Sequence, residues 1–264
     1  MFYLILIILL LLISFKYAEG FKAEHNFLYA QLYDKVFNDL PTYDRDTETI
    51  RKYISKRGKI LDLGCGTGHH LDRLPQYERT GIENNPDFVK IAKMRLKDVD
   101  IIENSIEKTN LLNSEFDAIL AMNDTLYYAD NNIDVIFSKV SQWLKPNGYF
   151  FFNILIPKQL DPGPRQFSNY IRRKDGTTVA ITYFDGFTHE AFWTINNPEY
   201  IYNQKFIVPN GNKATIATKL VINSRVDILD KLNSTGLKVV DIIDYKDLYD
   251  ASMELYICKK TIRV

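Results

Sequence analysis

The sequence predicts an α/β fold: a doubly wound, mostly parallel sheet of seven strands, with a small antiparallel β insert after the fifth strand. Two observations lead to this prediction. A short apolar strand is followed at once by Gly64, Gly66 and Gly68, and then by a helical stretch. Further along the chain, apolar strands alternate with amphipathic helices, which is typical of a parallel sheet covered by helices on both faces.

The composition is that of a globular protein and narrows the function only slightly. Lys plus Arg and Asp plus Glu each number 33 in 264 residues, so no net charge attracts nucleic acid, and no nucleic-acid partner is expected. The 2 cysteines do not form a disulfide framework. The 4 histidines show no ligand spacing, and therefore no metal site is expected.

The glycine turn is the most informative stretch of the sequence. Residues 60–63 read as a buried strand, and the glycines that follow are spaced G-x-G-x-G. A dinucleotide-binding fingerprint has the spacing G-x-G-x-x-G instead. Glycine has no Cβ and tolerates positive φ, so a chain that turns here can lie against a ligand. The helix expected at residues 69–74 offers unpaired N–H groups at its start.

This stretch resembles motif I of the class I S-adenosylmethionine-dependent methyltransferases, in which an acidic residue and G-x-G-x-G follow a hydrophobic strand. The resemblance extends over about residues 25–260 and implies a Rossmann-like methyltransferase sheet with S-adenosylmethionine as the cofactor. It assigns cofactor binding to Asp62, Gly64, Cys65, Gly66 and Gly68. The implied activity is methyl transfer, by in-line displacement, to a nitrogen or oxygen of a small-molecule acceptor. A membrane-tethered methyltransferase of a protein partner and a non-catalytic cofactor-binding module remain alternatives.

Two later loops complete the expected cofactor site. Glu83 ends the second strand 19 residues after Gly64, and with Asn84 it occupies the position where a carboxylate binds a ribose diol in such folds. A helix over residues 84–97 and a third strand over residues 99–103 follow. The family then recognises adenine with an Asp and a small residue. Here Asn104, Ser105 and Ile106 take these positions, and the Asn carbonyl oxygen is still an acceptor.

The fourth strand leads to the expected site of chemistry. Residues 116–122 match the family's F-D-x-hydrophobic pattern and run into the loop 123–128. In an open α/β sheet, ligands lie beyond the carboxyl ends of the strands. The resemblance therefore places Met122 and Asn123 beside the cofactor. Candidates for the catalytic groups are Asp124, Tyr127 and, from the insert, His189, whose unperturbed pKa lies near neutrality.

The segment before the glycine turn is predicted to be helical. Between residues 25 and 57 the pattern is amphipathic, with Tyr29 and Tyr33 among its aromatic anchors. Either tyrosine can close the cofactor pocket, and Tyr33 is the one assigned to it; the alternative is that both are core aromatics. Pro41 is expected to interrupt the pattern, with a second helix over residues 44–56.

The second half of the chain is predicted to contain an insert that covers the substrate. After a helix over residues 133–143 and a fifth strand over 149–155, residues 157–221 show short aromatic runs separated by two Asp-Gly hairpin signals. A helix over 225–234 and strands over 237–243 and 255–260 then close the sheet. The methyltransferase domain is thus expected to comprise residues 21–156 and 222–264.

The N-terminus carries an apolar run. Residues 2–15 are uninterrupted by charge, and the nearest basic residues, Lys16 and Lys22, follow the run. By the positive-inside rule, segment 1–20 is expected to anchor the chain through residues 2–18, with the catalytic domain facing the cytoplasm. The alternatives are a cleaved signal peptide, which implies a secreted or lumenal enzyme, and a helix buried in the fold.

Overall fold

The computed structural model describes residues 27–261, except for residues 39, 56, 129–131, 157–167, 197–198, 210, 212 and 246–252. The apolar run at residues 2–15 therefore lies outside the described residues. The membrane-anchored localisation predicted from that run is wrong: among the residues that the structure describes, no helix is long and apolar enough to cross a membrane.

The strands form two separate sheets. In chain order they are β1 Lys59–Leu63, β2 Glu78–Glu83, β3 Asp100–Glu103, β4 Phe116–Ala121, β5 Leu144–Leu155, β6 Ser168–Arg172, β7 Thr178–Phe184, β8 Phe187–Asn196, β9 Glu199–Ile207, β10 Lys213–Val221, β11 Leu237–Asp244 and β12 Met253–Lys260. The larger sheet has seven strands in the order β11-β12-β5-β4-β1-β2-β3. Strands β1 to β5 are parallel, and β12 pairs antiparallel with both β5 and β11. The predicted fold class is confirmed.

Among the described residues, six α-helices accompany the strands, and three of them begin after a side chain that accepts hydrogen bonds from their first N–H groups. The six helices are α1 at residues 27–37, α2 Pro41–Tyr53, α3 His69–Asp72, α4 Pro86–Arg95, α5 Ile133–Trp143 and α6 Arg225–Ser234. Asn85 caps α4 by accepting hydrogen bonds from the Asp87 and Phe88 amides, and Ser224 caps α6 in the same way. Pro41 starts α2 instead of interrupting a helix, because its fixed φ and missing N–H suit the first helical turn.

The smaller sheet is the predicted β insert. Its five antiparallel strands lie in the order β10-β9-β8-β7-β6. The hairpins that join β6 to β7 and β7 to β8 turn at Gly176 and Gly186, both with positive φ, as the Asp-Gly pairs predict. Strand β10 extends from this sheet to the main domain, where Leu220 forms an isolated bridge with Tyr128. The insert therefore lies beside the loop that follows β4.

The core lies between the main sheet and its helices. Phe137 of α5 packs on Phe150 and Phe152 of β5, with ring centroids 6.0 and 6.1 Å apart. All three side chains are fully buried. Because the core is continuous beneath β1 to β5, the carboxyl ends of these parallel strands meet at one fixed edge of the sheet.

Candidate functional site

A cavity of about 350 Å³ lies at the carboxyl ends of the parallel strands. It is bounded by the glycine turn after β1, the loops after β2, β3 and β4, helix α1 and strand β10. The residues that line it are Tyr29, Tyr33, Tyr43, Asp62, Gly64, Cys65, Gly66, Thr67, His69, His70, Ile82, Glu83, Asn84, Asn85, Phe88, Asn104, Ser105, Ile106, Met122, Asn123, Asp124, Thr125, Tyr128, Ile216 and Thr218.

Glu83 joins the glycine turn to the loop after β2. One carboxylate oxygen accepts a hydrogen bond from the Gly66 amide at 2.9 Å, and the other accepts one from the Asn85 amide at 2.8 Å. Gly66 has φ +56°, and a Cβ built there would meet nothing within 4 Å. The glycine therefore keeps space open beside the carboxylate, and a ligand with hydroxyl groups can approach both.

Asp62 brings a buried carboxyl group to the same wall. Its side chain is 2% exposed, and Oδ2 makes no hydrogen bond to any residue that the structure describes. Burial raises the pKa of Asp62 to about 7; the nearby His70 opposes the shift, whereas the negative charges of Glu83 and Asp46 add to it. Burial also raises the pKa of Glu83, against the effect of its backbone hydrogen bonds. A cation-bearing ligand would stabilise the ionised form of Asp62, because a buried carboxylate oxygen without a hydrogen bond is costly.

The loops after β3 and β4 supply the remaining polar groups of the cofactor set. The Asn104 carboxamide oxygen accepts a hydrogen bond from the Ser105 amide at 2.9 Å, which fixes the side chain at the cavity wall. Asn123 has φ +53°, and its amide donates to Asn153 Oδ1 at 2.7 Å. The tight turn after Met122 is thus held from behind by β5 and carries Asp124 at the cavity.

Two tyrosines of helix α1 line the cavity together with Asp124. Tyr29 packs edge-on against Phe206 of β9 at 5.5 Å, and its hydroxyl oxygen accepts a hydrogen bond from Gln204 at 3.3 Å. Tyr33 lies 5.7 Å from Tyr29 in an edge-to-face arrangement. Burial raises the pKa of both tyrosines, and the charge of Asp124 adds to the shift. Their phenols therefore stay neutral at physiological pH.

Helix α1 is held over the cavity by a polar cluster. Asp34 lies 2.6 Å from Arg95 and 2.9 Å from His69 Nε2, and Tyr43 stacks on the His69 ring at 5.0 Å. Arg95 also contacts His69 Nδ1. Burial and the neighbouring Arg95 lower the pKa of His69, although its hydrogen bond to Asp34 acts in the opposite direction. The His69 ring thus lies between the Asp34 carboxylate and the Arg95 guanidinium.

Three of the predicted site residues do not line the cavity. Gly68 lies behind the turn with φ +89°, where a Cβ would come within 2.6 Å of Leu96, so the glycine serves close packing. Tyr127 is 1% exposed, and its hydroxyl accepts a hydrogen bond from the Leu155 amide at 3.0 Å. Buried His189 is bonded to Gln204 at 3.2 Å, and burial lowers its pKa to about 4. Neither Tyr127 nor His189 is carried forward as a catalytic candidate.

The cavity also contains residues that the sequence analysis did not assign. From the first half of the chain these are Tyr43, Thr67, His69, His70, Ile82, Asn85, Phe88, Thr125 and Tyr128; from the insert they are Ile216 and Thr218. Thr67, Asn85 and Phe88 lie close in sequence to predicted site residues. Their positions in the glycine turn and at the start of α4 could therefore have predicted that they line the cavity. Ile216 and Thr218 carry no such signal, because only the return of β10 to Tyr128 places them here.

A comparison with known protein families identifies the domain around the glycine turn. Residues 60–148 match the family model described as "Methyltransferase domain". This stretch runs from β1 to the start of β5 and contains most of the cavity-lining residues. The putative methyltransferase YqeM of Bacillus subtilis is 30% identical over 133 residues, which make up 48% of this chain and 53% of that protein. The chain therefore spans about half the length of this curated relative.

Solved structures share the fold over a larger part of the chain. An S-adenosylmethionine-dependent methyltransferase from Clostridium acetobutylicum superposes with a TM-score of 0.69 and 19% identity, covering 89% of this chain and 98% of that one. The SAM-bound CalS10 of Micromonospora echinaspora, an amino pentose methyltransferase, gives a TM-score of 0.67 and 16% identity, covering 89% and 97%. At these identities the likeness concerns the fold alone.

Proposed function

We propose that the chain is a class I S-adenosylmethionine-dependent methyltransferase that transfers a methyl group to a nitrogen or oxygen of a small-molecule acceptor. The observation that carries this proposal is the hydrogen bond from the Gly66 amide to the Glu83 carboxylate, at a glycine turn with open space beside it. This hydrogen bond places the Glu83 carboxylate beside the Gly66 backbone at the wall of the cavity, which is large enough for a small molecule.

The residues present fit the cofactor. Glu83 keeps an acceptor surface beside Gly66 for a ribose diol. Asp62 offers a positively charged group its buried Oδ2 atom, which makes no hydrogen bond to the described residues. Asn104 and Ser105 stand at the loop after β3, where the family binds adenine. When bound, S-adenosylmethionine supplies an electrophilic methyl group on a sulfonium. The protein then has to orient the acceptor and accept one proton.

Asp124 is the group that we assign to proton removal. It lies at the start of the 3-10 helix Thr125–Tyr127, on the turn held by Asn153, and lines the cavity. A carboxylate at this position can reach the acceptor, and it takes no part in the hydrogen bond between Glu83 and Gly66. Tyr29 and Tyr33 line the same cavity as Asp124.

The insert is proposed to cover the acceptor. Ile216 and Thr218 of β10 line the same cavity as Asp124, and the bridge between Leu220 and Tyr128 ties this strand to the loop after β4. Since a half-enclosed space of about 350 Å³ suits a small molecule, a small acceptor is favoured over a folded protein. The amino pentose acceptor named for CalS10 is of that size class.

The first test is calorimetric titration of the full chain with S-adenosylhomocysteine, with NAD as the control ligand. Micromolar binding of the first and no binding of the second is expected, because the turn has the G-x-G-x-G spacing and not that of a dinucleotide site. Equal binding of both ligands, or binding of NAD alone, would contradict the proposal.

Gly66→Ala provides a matched variant for this titration. Its Cβ would enter the open space beside Glu83, so the affinity for S-adenosylhomocysteine is expected to fall about tenfold or more, which corresponds to about 1.4 kcal/mol. Gly176→Ala is the control for backbone strain, because Gly176 also has positive φ and open space but lies in a hairpin of the insert. Both variants should lose stability through the Cβ at positive φ, and only Gly66→Ala should lose affinity.

A further inference from the structure

One end of the cavity combines a carboxylate with aromatic rings. We call the set Tyr29, Tyr33, Asp124 and Tyr128 the acceptor end; all four line the cavity. Asp124 is half-buried, and its charge contributes to the raised pKa of Tyr29 and of Tyr33. The carboxylate is therefore close enough to both phenols for its field to act on them. Thr218 of strand β10, which is part of the insert, also lines the cavity.

The field in this cavity favours positive ligands. Asp62, Glu83 and Asp124 all line it, and none of the described residues that line it is Lys or Arg. Neutral tyrosine rings attract a cation through their electron-rich faces, and the attraction grows when the site is shielded from water. An anionic group on the acceptor would meet these carboxylates, without a lysine or arginine among the described lining residues to offset them.

From this arrangement we propose that the methyl acceptor is an amine that arrives as an ammonium ion, bound at the acceptor end by Asp124 and the three tyrosines. This inference rests on the proposed methyltransferase function and specifies its acceptor. It favours amines without a phosphate or carboxylate group beside the nitrogen, and it disfavours alcohols and phenols.

The reaction balances with the groups present. Asp124 accepts one proton from the ammonium group, which leaves a neutral amine with a lone pair. That lone pair forms the N–C bond to the methyl carbon while the S–C bond breaks, and the electron pair of the broken bond stays on sulfur. The products are S-adenosylhomocysteine and an N-methylated ammonium ion, and the proton on Asp124 passes to solvent.

The test compares probes of equal shape and different charge. The full chain, saturated with S-adenosylhomocysteine, is titrated with three amines and their alcohol counterparts: benzylamine and benzyl alcohol, cyclohexylamine and cyclohexanol, D-glucosamine and D-glucose. At least one amine is expected to bind about tenfold more tightly than its alcohol partner, as a desolvated cation–π and carboxylate contact allows. D-glucosamine 6-phosphate is expected to bind more weakly than D-glucosamine.

Two variants test which residues cause the preference for amines over alcohols. Asp124→Asn removes the charge and keeps the shape, so the difference between amine and alcohol should disappear. Thr218→Lys places a cation at the cavity from a half-exposed position on the edge strand β10, and it should lower amine affinity without touching the β4 turn. Glu190→Gln is the control for loss of one negative charge, because Glu190 pairs with Lys205 in the insert and does not line the cavity.

The outcomes separate this inference from the proposed function. If S-adenosylhomocysteine itself fails to bind, the methyltransferase assignment fails first. If it binds but amines and alcohols bind alike, or no amine binds, the amine inference is overturned and the methyltransferase function stands. A preference for amines that survives in Asp124→Asn and Thr218→Lys would also overturn it, because the recognition would then lie elsewhere.

Discussion

At the scale of single residues, the environment decides what identical groups do. Asp62 and Asp124 both line the cavity, but Asp62 is buried among other acids and has a pKa raised to about 7, whereas Asp124 is half-buried at the acceptor end. Burial in low dielectric disfavours the charged form of a carboxyl group. The fold without ligand is therefore stabilised by protonation of Asp62, and a bound cation would reverse that preference.

The first prediction concerns the pH dependence that Asp62 gives to stability. Its pKa is about 7 in the folded protein and about 3.9 in the unfolded chain, so its contribution is fully present below about pH 4 and is lost as the pH rises through about 7. In the absence of ligand, Asp62→Asn should remove this loss. The free energy of unfolding of the variant, relative to the natural protein, should increase with pH between about 4 and 7.

Urea unfolding at intervals of one pH unit measures this difference. Each unit of pKa difference corresponds to about 1.4 kcal/mol, so the change should be several times the experimental error. Glu83, whose pKa is also raised, is present in both proteins, and its interaction with Asp62 is part of the measured difference. Parallel curves for the two proteins would show that Asp62 is ionised in the folded state at neutral pH.

At the scale of elements, α1 is docked on two sides. Tyr29 lies between Phe206 of the insert and Phe88 of α4, with ring centroids 5.5 and 5.7 Å away. Asp34, further along the same helix, is bound to Arg95 at the end of α4. The helix that carries the tyrosines of the acceptor end therefore depends on one charged contact and one aromatic contact.

The second prediction is that Asp34→Ala loosens α1 without unfolding the sheet. Loss of hydrogen bonds to Arg95 and His69 should cost the docked helix about 1–3 kcal/mol. Hydrogen exchange of residues 27–37 should accelerate about tenfold, while exchange in β1 and β4 stays unchanged. Lys35→Gln, on an exposed position of the same helix, is the control. Unchanged exchange in residues 27–37 would mean that aromatic packing alone holds the helix.

The same element shows what the sequence can predict. The glycine turn and Glu83 were found because strand, turn and acid follow each other within a short stretch of chain. The contact of Asp34 with Arg95 joins residues 61 positions apart and has no local pattern. The cavity position of Ile216 and Thr218 likewise depends on the return of β10 to the loop after β4.

Some element boundaries also depend on contacts outside the local sequence. Strand β5 begins at Leu144, five residues before the predicted start, because Leu144 already pairs with Phe116. The ladder then shifts register and the chain passes through Asn147 at φ +63°. Pro146 and Gly148 are residues typical of a turn, but pairing with β4 extends the strand across them.

At the scale of the whole molecule, a buried polar network connects helices α2 and α3 to strand β5 and to Tyr245 after β11. Asp46 of α2 is 1% exposed and contacts His70 of α3 at 2.9 Å and the Tyr245 hydroxyl just after β11. The Tyr245 hydroxyl also accepts a hydrogen bond from Asn153 of β5 at 3.4 Å, and Asn153 holds the Asn123 amide. The network therefore runs from the glycine-turn side of the cavity to the turn that carries Asp124.

The last prediction is that Asp46 and Tyr245 act as one unit. Asp46→Asn and Tyr245→Phe should each cost about 1–3 kcal/mol, because each leaves a fully buried polar group with fewer partners. The double variant should lose less than the sum by at least about 0.5 kcal/mol, measured by urea unfolding. Tyr53→Phe is the matched control, because its hydroxyl donates to Asp241 at the surface and shares no partner with Asp46. That pair should be additive. If the losses in the free energy of unfolding of Asp46→Asn and Tyr245→Phe also add up in the double variant, the two residues stabilise the fold independently.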